Sequence, residues 1–159
     1  MELFWFNPNI HPLREYRSRL DSLKAFGEGS KLPLHIEDNY GLRDFIKKSF
    51  AHIDNSPLSK NERCGLCYKS RLERSALKAG EMGFKAFTST LLISPYQNHG
   101  LIKLLGNEIG RAHGLEFVYR DFRPRFRESQ SQARTGGFYM QKYCGCIFSE
   151  EERYMEGRA

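Results

Sequence analysis

The chain carries four cysteines, and all of them fall in two tight pairs, Cys64-Gly65-Leu66-Cys67 and Cys144-Gly145-Cys146. Thiols one or two residues apart reach a common centre from a single turn of backbone, which suits a metal, a cluster or a two-electron dithiol. Cysteine used as a small buried hydrophobe would be scattered instead. The glycine inside each pair lets the backbone close around whatever the sulfurs hold. Three chemistries share this spacing. A zinc site closes with four thiolates, and an iron–sulfur cluster follows the same four-thiolate logic. In the third, Cys64 and Cys67 bind metal while Cys144 and Cys146 form a redox dithiol, whose small disulfide ring is easily reduced. Spacing alone leaves the three open.

The other chemically able residues are less sharply patterned. His11, His35, His52, His99 and His113 form no metal-binding spacing, and His99 is the best placed for a site role because it follows Ser94-Pro-Tyr-Gln97. No glycine-rich nucleotide fingerprint is present. Between Arg111 and Lys142, seven cations (Arg111, Arg120, Arg123, Arg125, Arg127, Arg134, Lys142) face three acids (Glu116, Asp121, Glu128). Tyr119, Phe122, Phe126, Phe138, Tyr139 and Tyr143 are interleaved with them. Cations for phosphates and flat rings for unstacked bases are the ingredients of single-stranded or loop RNA recognition. A solvated basic face over ordinary core aromatics is the plain alternative.

Positioning these groups requires a scaffold, and its pattern alternates strand and helix. Leu3–Phe6 reads as a short buried strand. Leu13, Tyr16, Leu20 and Leu23 recur at helical spacing from Pro12 towards Gly27. Leu32, Leu34 and Ile36 alternate as a second strand, and Leu42, Phe45, Ile46 and Phe50 suit a helix. Residues 54–63, polar and containing Pro57, read as a loop leading into the first cysteine pair. A helix follows from Tyr68 to about Gly80, then a strand over 84–93, a loop at Ser94–Asn98, and a helix with Leu101, Leu105, Ile109 and Ala112 closed by Gly114. Leu115–Tyr119 is a strand, Arg120–Phe126 a loop, and another helix runs to about Arg134 before Gly136-Gly137. The string Ser149-Glu-Glu-Glu152 reads as a capping box that starts a terminal helix. The expected architecture is α/β, a mainly parallel, Rossmann-like sheet with flanking helices. Ligands of such sheets bind beyond the carboxyl ends of the strands, so Ser94–Gln97 and Arg120–Arg123 should face one crevice.

A chain of 159 residues suits one domain with a real core, spanning 1–159. No apolar run reaches the roughly 18 residues of a membrane span. The opening residues have neither the basic nor the apolar region of a signal peptide, so the expected location is the cytoplasm, where thiols stay reduced. A net charge of +6 and a pI near 9.2 favour a polyanionic partner.

Five strings carry a resemblance, in order along the chain: Asn7-Pro-Asn-Ile-His-Pro12, Arg63-Cys-Gly-Leu-Cys-Tyr68, Ser94-Pro-Tyr-Gln-Asn98, Tyr119-Arg-Asp-Phe-Arg-Pro124 and Gln141-Lys-Tyr-Cys-Gly-Cys-Ile-Phe-Ser-Glu-Glu-Glu-Arg-Tyr154. Together they resemble the QueH-type epoxyqueuosine reductases. The resemblance implies the last step of queuosine formation, in which the epoxide of epoxyqueuosine at the wobble position of a GUN anticodon in tRNA is reduced to an alkene. It implies a [4Fe-4S] cluster without cobalamin, with Cys64 and Cys67 as two of its ligands. By the same resemblance Cys144 and Cys146 form a redox-active pair that cycles through a disulfide, or else ligate an additional iron. Asp121 is the candidate for proton handling or for that iron, against a simple salt bridge to Arg120 or Arg123. Arg120, Arg123, Tyr96, Gln97 and Lys142 are expected to contact tRNA, and an unidentified electron donor is implied.

The sequence departs from the family pattern in two places. Arg125 stands where the pattern has glycine. The pattern also opens with a strand ending in adjacent cysteines that help hold the cluster, whereas this sequence opens directly on Leu3-Phe-Trp-Phe6. The expectation is therefore a domain missing its first strand, with weak cluster binding and with Leu3, Trp5 or Phe6 lacking a neighbour. The competing function is a truncated or inactive zinc- or iron-binding relative that binds tRNA without turnover.

Overall fold

The computed structural model describes residues 1–50 and 58–155. Among them the chain is α/β, with helices α1 (Leu13–Ser30), α2 (Leu42–Ser49), α3 (Lys60–Glu81), α4 (His99–Ala112), α5 (Phe126–Thr135) and α6 (Ile147–Met155). The strands β1 (Leu3–Trp5), β2 (Leu34–Ile36), β3 (Ala86–Phe87) and β4 (Glu116–Phe117) form two parallel pairs, β1–β2 and β3–β4. The pattern predicts one mainly parallel sheet, and the described strands form two short parallel pairs instead. The residues group into two compact units, Met1–Lys47 with Gln130–Ala159, and Lys48–Ser129. No helix among the described residues is long and apolar enough to cross a membrane.

In the first unit the β1–α1–β2 segment pairs Leu3 with Leu34 and Trp5 with Ile36. Trp5, Ile10, Tyr16 and Leu20 form its core. The indole N–H of Trp5 donates to Tyr16 Oη (3.0 Å), which donates to Asp38 (2.9 Å), so both large rings are buried with their polar ends satisfied. Trp5, expected to lack a neighbour, is only 5% exposed. The expected stop at Gly27 falls inside α1, which ends at Ser30 on a left-handed Lys31. A Cβ at Gly27 would make ordinary contact with Leu34 Cβ at 3.5 Å.

In the second unit α3 and α4 pack together over β3 and β4, around Tyr68, Leu72, Ala76, Phe87, Leu92, Ile102, Ile109 and Phe117. Helix α3 begins eight residues before the expected start at Tyr68, and the reason is a reciprocal cap. Ser59 Oγ accepts the Glu62 N–H (3.4 Å) while Glu62 Oε2 accepts the Ser59 N–H (2.9 Å). Of the loop expected over 54–63, the residues to 57 lie outside those described, and Lys60 onward is helical. The expected strand over 84–93 shortens to β3, because Ser89 Oγ accepts the Leu91 N–H (3.2 Å) and opens a 3-10 turn over Thr90–Ile93. Asn98 caps α4 through the Leu101 N–H (3.0 Å), two residues earlier than the apolar spacing marks.

Candidate active site: two cysteine pairs and their supports

Cys64 and Cys67 lie in the opening turns of α3, not in a loop, and both are half-buried. Residues three apart on a helix are surface neighbours, so one helical face presents both thiols. The next residue, Tyr68, ties this helix to the loop after β3. Its hydroxyl donates to Gln97 Oε1 (2.8 Å) and accepts the Asn98 N–H (3.2 Å).

The two loops expected to share a crevice do come together at the carboxyl ends of β3 and β4. His99 is the joint. It is buried, with Nε2 3.0 Å from the Ser94 carbonyl and Nδ1 3.3 Å from Tyr119 Oη. The Phe122 N–H donates to the Leu92 carbonyl (3.2 Å), closing the second contact between the loops.

Beyond this joint, Arg123 grips Asp121 through Nε (2.8 Å) and Nη2 (2.5 Å), and its backbone N–H adds a third bond to the same carboxylate (3.1 Å). These bonds hold the Asp121 carboxyl down at about 2 and raise the Arg123 guanidinium. The carboxylate form of Asp121 is thereby favoured, and of the two salt-bridge partners expected from the sequence it takes Arg123. Arg125 is likewise paired, with Glu128 at 2.6 Å. Arg120 is exposed, and Tyr96 is 83% exposed with its ring edge-on to Phe126 at 6.0 Å.

In the first unit, Cys144 is exposed and Cys146 half-buried, with the sulfurs 3.8 Å apart and no disulfide between them. The capping box expected at Ser149 is displaced, because α6 starts at Ile147 and Cys146 occupies the capping place. Its carbonyl accepts the Glu150 N–H (3.1 Å) and its Sγ accepts the Ser149 N–H (3.4 Å). Ser149 Oγ lies 3.0 Å from Cys144 Sγ and 2.8 Å from the Cys146 carbonyl oxygen. The Cys146 thiol, the Cys146 backbone, the Ser149 hydroxyl and the Arg19 charge together stabilise a Cys144 thiolate. They bring its pKa down to about 5 against the opposing effect of burial, while sharing that thiolate pushes Cys146 up. The pair is thereby biased towards a thiolate on Cys144 and a thiol on Cys146. Lys142, just before it, is exposed.

A residue no sequence pattern marked, Arg19, organises this loop from α1. Its Nη1 and Nη2 donate to the carbonyls of Cys144 (3.0 Å) and Tyr143 (2.8 Å). Its Nε donates to Glu15 (2.7 Å), and Glu15 also accepts from the Tyr139 hydroxyl. That bond raises the Tyr139 phenol to about 12.

Cys64 and Cys67 provide two thiols on one face, but among the described residues no group of three or more His, Cys, Asp or Glu side chains is placed to hold a metal.

The fold is α/β, with one cysteine pair in the opening turns of α3 and the other at the entry to α6. A profile of the family described as epoxyqueuosine reductase QueH matches residues 1–152. Relatives named epoxyqueuosine reductase QueH include those of Dehalococcoides mccartyi (32% identical over 97% of this chain and 81% of the relative) and Thermotoga maritima (34%, over 96% and 80%). The relative in Helicobacter pylori is 40% identical over 92% of this chain, which spans only 41% of that protein. The chain belongs to the epoxyqueuosine reductase QueH family, a family of oxidoreductase enzymes.

Proposed function

We propose that this chain reduces the epoxide of epoxyqueuosine to the alkene of queuosine, in tRNA with a GUN anticodon and in the cytoplasm. The observation that carries the reading is the family match over residues 1–152, which takes in both cysteine pairs and the joined loops at Ser94 and Tyr119. Reduction breaks both C–O bonds of the epoxide, forms the C=C bond, and consumes two electrons and two protons to release water. Closing the Cys144–Cys146 couple to a disulfide supplies both electrons and, from the Cys146 thiol, one proton; the second proton comes from solvent, and an external donor then reopens the disulfide. Their separation of 3.8 Å, with a thiolate on Cys144, is what such a couple needs.

The cofactor belongs to this proposal as far as its ligands go: Cys64 and Cys67 would hold two positions of a [4Fe-4S] cluster, which when bound would supply single-electron chemistry at the substrate. An additional iron would have the ionised Asp121 as its donor. The parallel β3–β4 pair, with its loops at the carboxyl ends, supports the Rossmann-like reading.

For tRNA, an exposed Tyr96 braced by Phe126 suits stacking on an unstacked base, and Arg120 and Lys142 suit phosphates. Gln97 and Arg123 act at one remove, the first fixed by Tyr68 and the second by Asp121.

The test is anaerobic incubation of the chain and a chemical reductant with tRNA from cells that accumulate epoxyqueuosine, followed by nucleoside mass spectrometry. Loss of one oxygen atom from the modified base is expected. Binding of that tRNA with no conversion, in protein loaded with iron and sulfide, would establish the competing reading of a binding relative without turnover.

A further inference from the structure

Arg19 is 125 residues from Cys144 in sequence, and its side chain is 11% exposed beside a 9% exposed Glu15. Burying a guanidinium is costly unless its donors are used, and here three of them are committed, two to backbone carbonyls. Those carbonyls belong to Tyr143 and Cys144, the residues that enter the Cys-x-Cys loop. Gly145, at φ 115°, takes a conformation side chains rarely adopt, and a Cβ there would lie 2.9 Å from Arg19 Nη1. The guanidinium therefore fills the space beneath the loop. The His11 N–H donates to the Gly145 carbonyl (2.7 Å), and Tyr143 Oη donates to the His11 carbonyl (2.5 Å). Glu15, held from its other oxygen by Tyr139, keeps Arg19 aimed.

We propose that Arg19 is a positioning residue for the Cys144–Cys146 couple: by pinning the Tyr143 and Cys144 carbonyls it holds Cys146 Sγ within closing distance of Cys144 Sγ. The inference rests on the reading of this pair as a dithiol couple. Loss of the fork leaves the thiols in place and lowers the efficiency with which one closes on the other.

The probe is the neutral pair hydroxyethyl disulfide and 2-mercaptoethanol. Cys144 Sγ attacks the probe disulfide, forming a mixed disulfide and releasing one mercaptoethanol. Cys146 Sγ then attacks Cys144 Sγ, the mixed S–S bond breaks, and the second mercaptoethanol leaves with the proton Cys146 gives up. This second step contains no Cys144 thiolate, so it reports loop geometry rather than the charge of Arg19. Acid quenching and peptide mass mapping give the ratio of internal disulfide to Cys144 adduct. In R19M that ratio is expected to fall about tenfold, equivalent to about 30 mV for a two-electron couple. R19K, with a single point donor in place of the fork, should fall between R19M and the parent. The double variant E15Q/R19M removes the buried pair together, so it tests the point even if R19M alone does not fold. Equal ratios in the parent, R19K and E15Q/R19M would overturn the role of Arg19 while leaving the couple intact. A parent chain that accumulates adduct and never closes would instead overturn the couple itself.

Discussion

Gly106 and Gly80 both lie within helices, yet replacing each with alanine should move stability in opposite directions. A Cβ on Gly106 would sit 2.2 Å from Phe117 Cδ1 and 2.4 Å from its Cε1. Phe117 has nowhere to go, being 6% exposed and packed on Phe87 with ring centroids 5.2 Å apart. Overpacking costs about 1–3 kcal/mol, and at about 2–4 °C per kcal/mol for a chain of this size G106A should lower Tm by about 2–12 °C. Nothing lies within 4 Å of a Cβ on Gly80, so G80A only stiffens α3 and should stabilise by about 0.5–1 kcal/mol. The consequence reaches the site, because α4 carries His99 and β4 leads to its partner Tyr119. Prising α4 from β4 loosens the joint between the Ser94 and Arg120 loops. G106A should therefore also weaken tRNA binding at temperatures where it is folded, while G80A should not. Thermal unfolding by circular dichroism and anisotropy titration with labelled tRNA check both. A G106A variant melting at or above the parent would refute the packing reasoning, and a destabilised G106A with full tRNA affinity would refute its link to the site.

Other outcomes follow from individual contacts. Tyr68→Phe strands the Gln97 amide oxygen and the Asn98 N–H, so it should cost about 1–3 kcal/mol by urea unfolding. Arg120→Gln should flatten the dependence of log K on log salt by about 0.7, one single-strand phosphate contact, whereas Arg123→Gln should leave the slope unchanged because Arg123 is held by Asp121. Alkylation of Cys144 by iodoacetamide should show a midpoint near pH 5 that moves up towards the ordinary 9.0 in Cys146→Ala. A depressed thiol stabilises the fold above its unfolded pKa and loses that contribution as pH falls through its folded one. Tm should therefore decline from pH 9 to pH 5 more steeply in the parent than in Cys144→Ala, measured by scanning fluorimetry.

Local pattern carried much of this architecture. The apolar spacing of Tyr16, Leu20 and Leu23 and the alternation through Leu34 mark α1 and β2, and both form, with α1 running on past Gly27 to Ser30 and β2 starting at Leu34. The errors lie where a polar side chain outweighs composition. Residues 58–63 read as loop because they are polar and follow Pro57, yet Ser59 and Glu62 form a reciprocal cap that was legible as Ser-x-x-Glu. At the far end the same motif misled, since Ser149 has the sequence of a cap but Cys146 takes the position. The sulfur does there what a hydroxyl oxygen usually does. Strand length over 84–93 was overestimated because Ser89 turns the backbone after two paired residues. Arg19 could not be read from sequence at all. Nothing local distinguishes it from Arg14 or Arg17 on the same helix, and its partners lie more than a hundred residues away, at separations of 124 and 125.

The most direct measurement is a single turnover. The chain, reduced and then freed of reductant, is mixed anaerobically with tRNA bearing epoxyqueuosine, and queuosine and Cys144–Cys146 disulfide are counted in the same quenched sample. One disulfide gained for each queuosine formed is expected, with no product from Cys144→Ala or Cys146→Ala. Queuosine formed without a matching disulfide, or formed equally by the two alanine variants, would contradict the assignment of this couple as the source of the electrons.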